Sequence, residues 1–234
     1  MVFDSGAGVA WSLGTPDGDA LDRDRAVDLV ARIVAAVDVP VTADIESGFG
    51  ADPDDVAETV RRVLAAGAVG VNLEDAWHGG AAPLRPVAGQ ADRIRAARRA
   101  AEAAGVPLFV NARVDVYLRD VGDPENRLAE TLDRAAAYLA AGADGIFVPG
   151  VLDPAVLAEL VAGIDAPLNV LVGPGAPTVA ELGALGVARV SAGSTVALAA
   201  YGLVQRAAGE LLRSGSYDTL HDGMAYGELN ALLG

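Results

Sequence analysis

The sequence predicts an α/β fold of the (β/α)8 TIM-barrel type, N-terminally incomplete and with extra C-terminal helices. Three observations carry that prediction. The first is a recurring phrase: an Ala-rich amphipathic stretch, a glycine, then a short apolar run closed by a polar residue. It stands as LAAGAVGVNLED through Gly67, AEAAGVPLFVNAR through Gly105, LAAGADGIFVPG through Gly142 and LGALGVARVSAG through Gly186. Glycine just past a helix takes the left-handed conformation cheaply, and the Val/Leu/Ile/Phe run after it is a buried parallel strand. The second is spacing: these glycines lie 38, 37 and 44 residues apart, room for one strand, one loop, one helix and a return turn. The third is that no G-x-G-x-x-G opens a helix after a strand, which disfavours a doubly wound nucleotide-binding sheet.

The elements follow in order. Met1 to Phe3 is a strand stub, and AAVDVPVTADIE enters a strand at Pro40 without the glycine. The remaining strands are expected near 69–74, 107–113, 144–148, 168–172 and 188–192, with AGIDAPLNVLVG entering the 168–172 strand at Pro167. That makes seven strands at most, one strand and one helix short of a barrel at the N-terminus. After the last strand, Thr195 to Leu212 is expected as a long helix and Gly223 to Leu233 as a second.

With 234 residues, 52% hydrophobic and 21% charged, and with glycines and prolines spread evenly, the expectation is one domain, residues 1–234. A formal charge of −15, from 17 Lys plus Arg against 32 Asp plus Glu, repels nucleic acid and anionic membranes. Cysteine is absent, so disulfides, thiolate metal sites and a cysteine acid or nucleophile are excluded. The start carries Asp4 and no basic signal segment, and a cytoplasmic location is expected.

In a barrel of this type the site forms at the C-terminal ends of the strands. The polar residues there are Asp44 and Glu46 after VTADIE, Glu74 and Asp75 after VNLED, and Arg113 with Asp115 after FVNAR; Ser5, Gly6 and Asp17 follow the N-terminal stub. Asp44 and Glu46 are two apart and would share one side of an extended strand, with Glu74 reaching the same side from the next. Carboxylates converging in that way require a cation, and hard oxygen ligands favour Mg2+, with Mn2+ a close substitute. Arg113 offers a fork of donors that fits a carboxylate or phosphonate. A Ser5-Gly6 turn would point N–H groups at the same carboxylate. Read singly, Glu46 and Asp75 are equally well solvated loop charges, and Asp17 in TPDG a turn former.

The segments SGAGVAWSLGTPDG, VTADIESGFG, GVNLEDA, FVNARVDVYL, GADGIFVPG and GVARVSAGST, in this order and spacing, resemble the isocitrate lyase and phosphoenolpyruvate mutase superfamily over essentially the whole chain. The resemblance, closest to its 2-methylisocitrate lyase and oxaloacetate decarboxylase branch, implies a Mg2+-dependent barrel that makes or breaks a C–C or P–C bond beside a 2-oxo acid carbonyl through a pyruvate enolate. It implies a homo-oligomer, dimer or tetramer, that swaps its last barrel helix. By the same resemblance Asp44, Glu46 and Glu74 match the metal-binding acids, and Arg113 the substrate-binding arginine. Ser5 and Gly6 match the turn on the substrate carboxylate, Asp44 stands beside that substrate, and Asp17 is the loop aspartate next to the reacting carbonyl.

Two departures qualify it. The loop DAWHGGAAPLRP stands where family members carry a gate that closes on the substrate. It lacks the cysteine-containing motif of the isocitrate and methylisocitrate lyases, and equally the Asn or Thr and Lys of the mutase and phosphonopyruvate hydrolase. His78 is the titratable residue available there beside Asp75, a candidate acid or base and, alternatively, an ordinary loop histidine. Pro149 stands where the mutase has a histidine. A C–C lyase or decarboxylase is therefore expected, with a P–C bond enzyme or a non-catalytic truncated relative as the alternatives.

Overall fold

The computed structural model of the chain describes residues 2–3 and 6–232. The strands β1 (Val2–Phe3), β2 (Val41–Asp44), β3 (Gly70–Glu74), β4 (Phe109–Arg113), β5 (Gly145–Val148), β6 (Leu168–Leu171) and β7 (Arg189–Ser191) form one parallel sheet in sequential order. Between them run the helices α1 (Gly6–Ser12), α2 (Arg23–Ala35), α3 (Pro53–Ala65), α4 (Val87–Ala103), α5 (Arg127–Ala140), α6 (Pro154–Gly163) and α7 (Val179–Ala184). This is the β/α alternation of a TIM-type barrel. Each expected strand is present within two residues of its expected position.

The recurring glycines do what their position requires. Gly67 has φ +94°, and Ala68 N–H donates back to the Val63 carbonyl at 3.1 Å, closing the α3 terminus. The same closure recurs after Gly105, Gly142 and Gly186. Helix starts are capped from the sequence as well. The Asp22 side chain accepts from Asp24 N–H at 2.9 Å, and Thr178 and Glu181 form a capping box.

The alternation of each strand divides the sheet into two chemistries. Ala43, Val71, Leu73, Val110, Ala112, Ile146, Val148 and Val170 are buried in a single core with helix residues such as Val56, Val60, Ile94 and Leu157. The intervening residues are mostly polar, namely Thr42, Asp44, Asn72, Glu74, Asn111, Arg113, Asn169, Arg189 and Ser191, with Phe109, Phe147 and Leu171 the apolar ones among them. The polar ones bond one another: Asn111 Nδ2 donates to Asn72 Oδ1 and Asn72 Nδ2 to Asp44 Oδ1, each at 3.2 Å. Arg189 Nη2 donates to Thr42 Oγ1 at 3.0 Å, so β7 reaches across to β2 and the sheet is curled. The polar face is thus the concave one, and its carboxyl end carries the site.

Where composition gave no internal boundary, the fold divides into two compact units, Met1–Gly193 and Ser194–Gly234. The second unit holds α8 (Thr195–Ser214) and α9 (Tyr226–Ala231), matching the two helices expected there. Within it Glu210 accepts from Ser216 Oγ at 2.7 Å and from the N–H groups of Asp218 and Thr219 at 2.8 and 2.9 Å. Among the described residues no helix is long and apolar enough to cross a membrane.

Candidate active site

β3 and β4 run in register so that Glu74 is paired with Arg113, and β2 pairs Asp44 with Asn72 one step away. This register places three of the expected residues side by side. Arg113 Nη1 lies 2.7 Å from Glu74 Oε2, while its Nε and Nη2 donate to the two oxygens of Asp115 at 2.6 and 2.9 Å. Burial works against the Arg113 charge, but Glu74 and Asp115 outweigh it and drive its pKa well above the ordinary arginine value. Three of its five N–H groups are used, leaving one hydrogen on each Nη nitrogen for a ligand.

Glu74 is almost fully buried, and burial raises its pKa although Arg113 and His78 both hold its charge. His78 Nε2 is 2.7 Å from Glu74 Oε1. The His78 ring is only about one quarter exposed, and its pKa is raised chiefly by that hydrogen bond. The histidine is therefore no free loop residue: it is seated on a site carboxylate. Gly18 lies over the ring, close enough that a Cβ there would meet His78 Nδ1 at 3.2 Å.

Asp44 accepts from Gly6 N–H at 3.0 Å, from Glu46 N–H at 3.2 Å and from Asn72. Gly6 is thus in the centre, with its N–H on Asp44; a Cβ on Gly6 would lie 3.0 Å from Glu46 Cγ and 3.1 Å from Asp44 Oδ2. Ser5 lies outside the described residues. Asp17 is exposed, though its charge acts on Glu46.

Among the described residues, no group of three acid or histidine side chains is gathered tightly enough to hold a metal ion. The argument from alternation fails at Glu46, because β2 ends at Asp44 and Glu46 has φ +48°, in the left-handed region. The turn directs its carboxylate to the Asp19 N–H instead. Glu46 is 4% exposed, and burial, with further contributions from Asp19, Asp44 and Asp17, raises its pKa to about 7. Asp44 is the shared neighbour whose charge acts on both Glu46 and Glu74. The donor chemistry still suits a hard cation, since Mg2+ commonly takes only one or two carboxylates and keeps waters.

Other residues at the site have no signature in the sequence. Asp75, read singly as a loop charge, is wholly buried and anchors the loop that follows it. It accepts from Asp115 N–H at 2.9 Å, Tyr138 Oη at 2.8 Å and Arg134 Nη1 at 3.1 Å. Arg134 Nη1 also donates to the Arg85 carbonyl at 3.0 Å, and Arg85 N–H to the Asp75 carbonyl at 2.8 Å, so both ends of the loop are pinned to α5. Arg93 of α4, 2% exposed, donates to the carbonyls of Ser47, Gly50 and Ala51 and shapes the loop after β2. Asp19 receives Ser47 N–H at 3.2 Å and Ser47 Oγ. These partners lie 10 to 63 residues apart, and the i, i+4 pairs Glu130–Arg134 and Arg134–Tyr138, bonded at 2.7 and 3.1 Å, are the local trace they leave.

A curled parallel β/α sheet, with an arginine and acids at its carboxyl end, is the arrangement of a TIM-type barrel protein. A family model described as phosphoenolpyruvate phosphomutase matches residues 1–212, and the chain belongs to this phosphoenolpyruvate mutase/isocitrate lyase family. An uncharacterized protein of Mycobacterium tuberculosis is 41% identical over 80% of this chain and 67% of its own length. The 2-methylisocitrate lyase of Escherichia coli is 30% identical over 71% of this chain, and the match spans 56% of that lyase. A solved structure from Burkholderia cenocepacia J2315, described as a candidate lyase/mutase, has a TM-score of 0.91 at 39% identity, covering 99% of this chain and 82% of the other.

Proposed function

We propose that the chain is a lyase that cleaves a C–C bond of a small 2-oxo or 2-hydroxy carboxylate, by decarboxylation or aldol-type cleavage, through a pyruvate-like enolate. The observation that carries this reading is Arg113: a buried guanidinium, braced by Glu74 and Asp115, with two N–H groups left to grip a carboxylate beside Asp44. Mg2+, or Mn2+ in its place, would be held by Asp44 with Glu46 and Glu74 behind it, and when bound would stabilise charge developing on the carbonyl oxygen. Gly6, whose N–H is on Asp44, would close the carboxylate pocket. His78, bonded to Glu74 and covered by Gly18, moves the proton, with Asp17 on the same loop as Gly18 next to the reacting carbonyl. The absence of cysteine separates this chemistry from a cysteine-dependent lyase.

The fold on this reading is a (β/α)8 barrel short of one strand–helix unit in this sequence, with α8 and α9 as additions, and the protein is a cytoplasmic homo-oligomer. Cleavage of a P–C bond is the second reading, favoured by the description of the matching family model. Assay of the purified protein with Mg2+ on oxaloacetate, 2-methylisocitrate and phosphonopyruvate, each repeated with EDTA, separates the readings. Turnover of either of the first two supports the lyase. Turnover of phosphonopyruvate alone supports the second reading, and turnover of none supports a non-catalytic relative.

A further inference from the structure

The loop after β3 carries a cation that the centre does not use. Beside the carboxylates lies a cavity of about 670 Å3 whose walls include Asp19, Arg23, Arg62, Trp77, His78 and Arg85. Asp19 and His78 stand between it and the centre, with Asp19 N–H on Glu46 and His78 Nε2 on Glu74. Most of the charge lining it is already paired. Arg62 bonds Glu58 and Asp24, Arg23 donates to the Phe49 carbonyl with Asp55 3.7 Å away, and Asp19 is held by Ser47.

Arg85 differs. Its Nη1 reaches only the Ala51 carbonyl, at 3.5 Å, the outer limit of a hydrogen bond. Its Nε is buried without a hydrogen-bond partner, and among the described residues no carboxylate lies within ion-pair distance of it. Burial disfavours its charge by more than the nearby Asp19 and Asp52 favour it. Its guanidinium carbon is 5.9 Å from the centroid of the Trp77 ring, and the pinned backbone at Asp75 and Arg134 fixes where the side chain starts. A planar fork of donors is thus kept half-buried with its bonding capacity unspent, a cost that an oxyanion would offset.

We propose that Arg85 is the anchor of a second, anion-binding subsite, which takes a carboxylate at the far end of the substrate from the group held at Arg113, with Trp77 as the apolar wall for the carbons between. The proposal rests on the function assigned above to Arg113, and it makes Arg85 a specificity-determining residue for acids with a remote second carboxylate.

The test compares pairs of 2-oxo acids that differ only in the far group: 2-oxoglutarate against 2-oxopentanoate, and 2-oxoadipate against 2-oxohexanoate. Dissociation constants are measured calorimetrically with Mg2+, with oxalate as a probe of the centre alone. The wild type is expected to prefer the diacid of at least one pair by tenfold or more. Arg85→Gln should bring that ratio to about one while leaving oxalate and the monoacids unchanged, and Arg85→Lys should keep an intermediate ratio. Because the ratio is taken within one variant, a partly folded sample does not alter it. An unchanged ratio in Arg85→Gln overturns the proposal, as does an Arg85-dependent diacid that does not compete with oxalate, which would mark a site for a free carboxylate. Oxalate failing to bind the wild type overturns the reading of the centre itself, and the proposal with it.

Discussion

Arg113 and Glu74 are register partners on adjacent strands, and they meet at 2.7 Å between Nη1 and Oε2 with both side chains largely buried. Asp115 takes the other edge of the guanidinium at 2.6 Å. One cation thus lies between two carboxylates that were taken out of water along with it, so the arrangement holds only while all three are present. Arg113→Ala would leave Glu74 and Asp115 buried with their repulsion unbalanced. The expected cost is about 3–5 kcal/mol in urea unfolding, with turnover reduced on the order of 10²-fold or more. Arg113→Lys, which supplies charge without the fork, should recover much of the stability and little of the turnover. A variant that kept wild-type turnover would remove Arg113 from the reaction.

The Asp75 network gives a second expectation. Tyr138→Phe deletes one donor to a fully buried carboxylate and leaves the shape of the side chain unchanged. A loss of about 1–3 kcal/mol is expected. The loop between Asp75 and Pro86 should show faster amide exchange. A loss under about 0.5 kcal/mol, with unchanged exchange, would mean that Arg134 and the Asp115 amide satisfy Asp75 without it.

The terminal glycines differ in a way that substitution can read. Gly67 and Gly105 both have positive φ, but a Cβ at Gly67 would stand 2.9 Å from Val34 Cγ1, whereas one at Gly105 would meet nothing within 4 Å. Gly105→Ala is expected to cost only the left-handed conformation, about 1–2 kcal/mol, and Gly67→Ala distinctly more. Equal thermal shifts for the two would show that backbone strain alone is measured.

A pH dependence is expected in the second unit. Hydrogen bonds from Thr219, Ser216 and Asp218 hold the Glu210 pKa down to about 2, from an ordinary 4.5. Because the folded value is the lower one, the contribution of Glu210 is present above about pH 4.5 and is lost as pH falls towards 2. Protection factors of the Asp218 and Thr219 amides should fall across this range relative to those of α8. In Glu210→Gln they should no longer change with pH. Flat protection in the wild type would count against the cap.

Most of the fold is legible locally. The position of each strand follows from an apolar run behind a glycine or an X-Pro entry, and Gly67, Gly105, Gly142 and Gly186 all adopt the left-handed conformation their place implies. The candidate site is legible where it depends on strand ends: Asp44, Glu74 and Arg113 are neighbours because adjacent parallel strands end at one level. Glu46 shows where such reasoning stops, since its own left-handed backbone after β2 turns its carboxylate to the Asp19 N–H. For Asp75 and His78 the sequence leaves a loop reading open beside the functional one, because what buries the first is Tyr138 and Arg134, and what seats the second is a carboxylate and a glycine from a remote loop.

By itself, the sequence determined the succession of strands and helices, the polar character of the strand ends and the exclusion of thiol chemistry, because capping, periodicity and composition act over a few residues. Tertiary structure alone decided which acids brace Arg113 and which merely pin a loop. It also decided that Arg85 sits half-buried without a carboxylate. Those outcomes depend on desolvation and on partners brought together across the chain, and neither can be read from the order of residues alone.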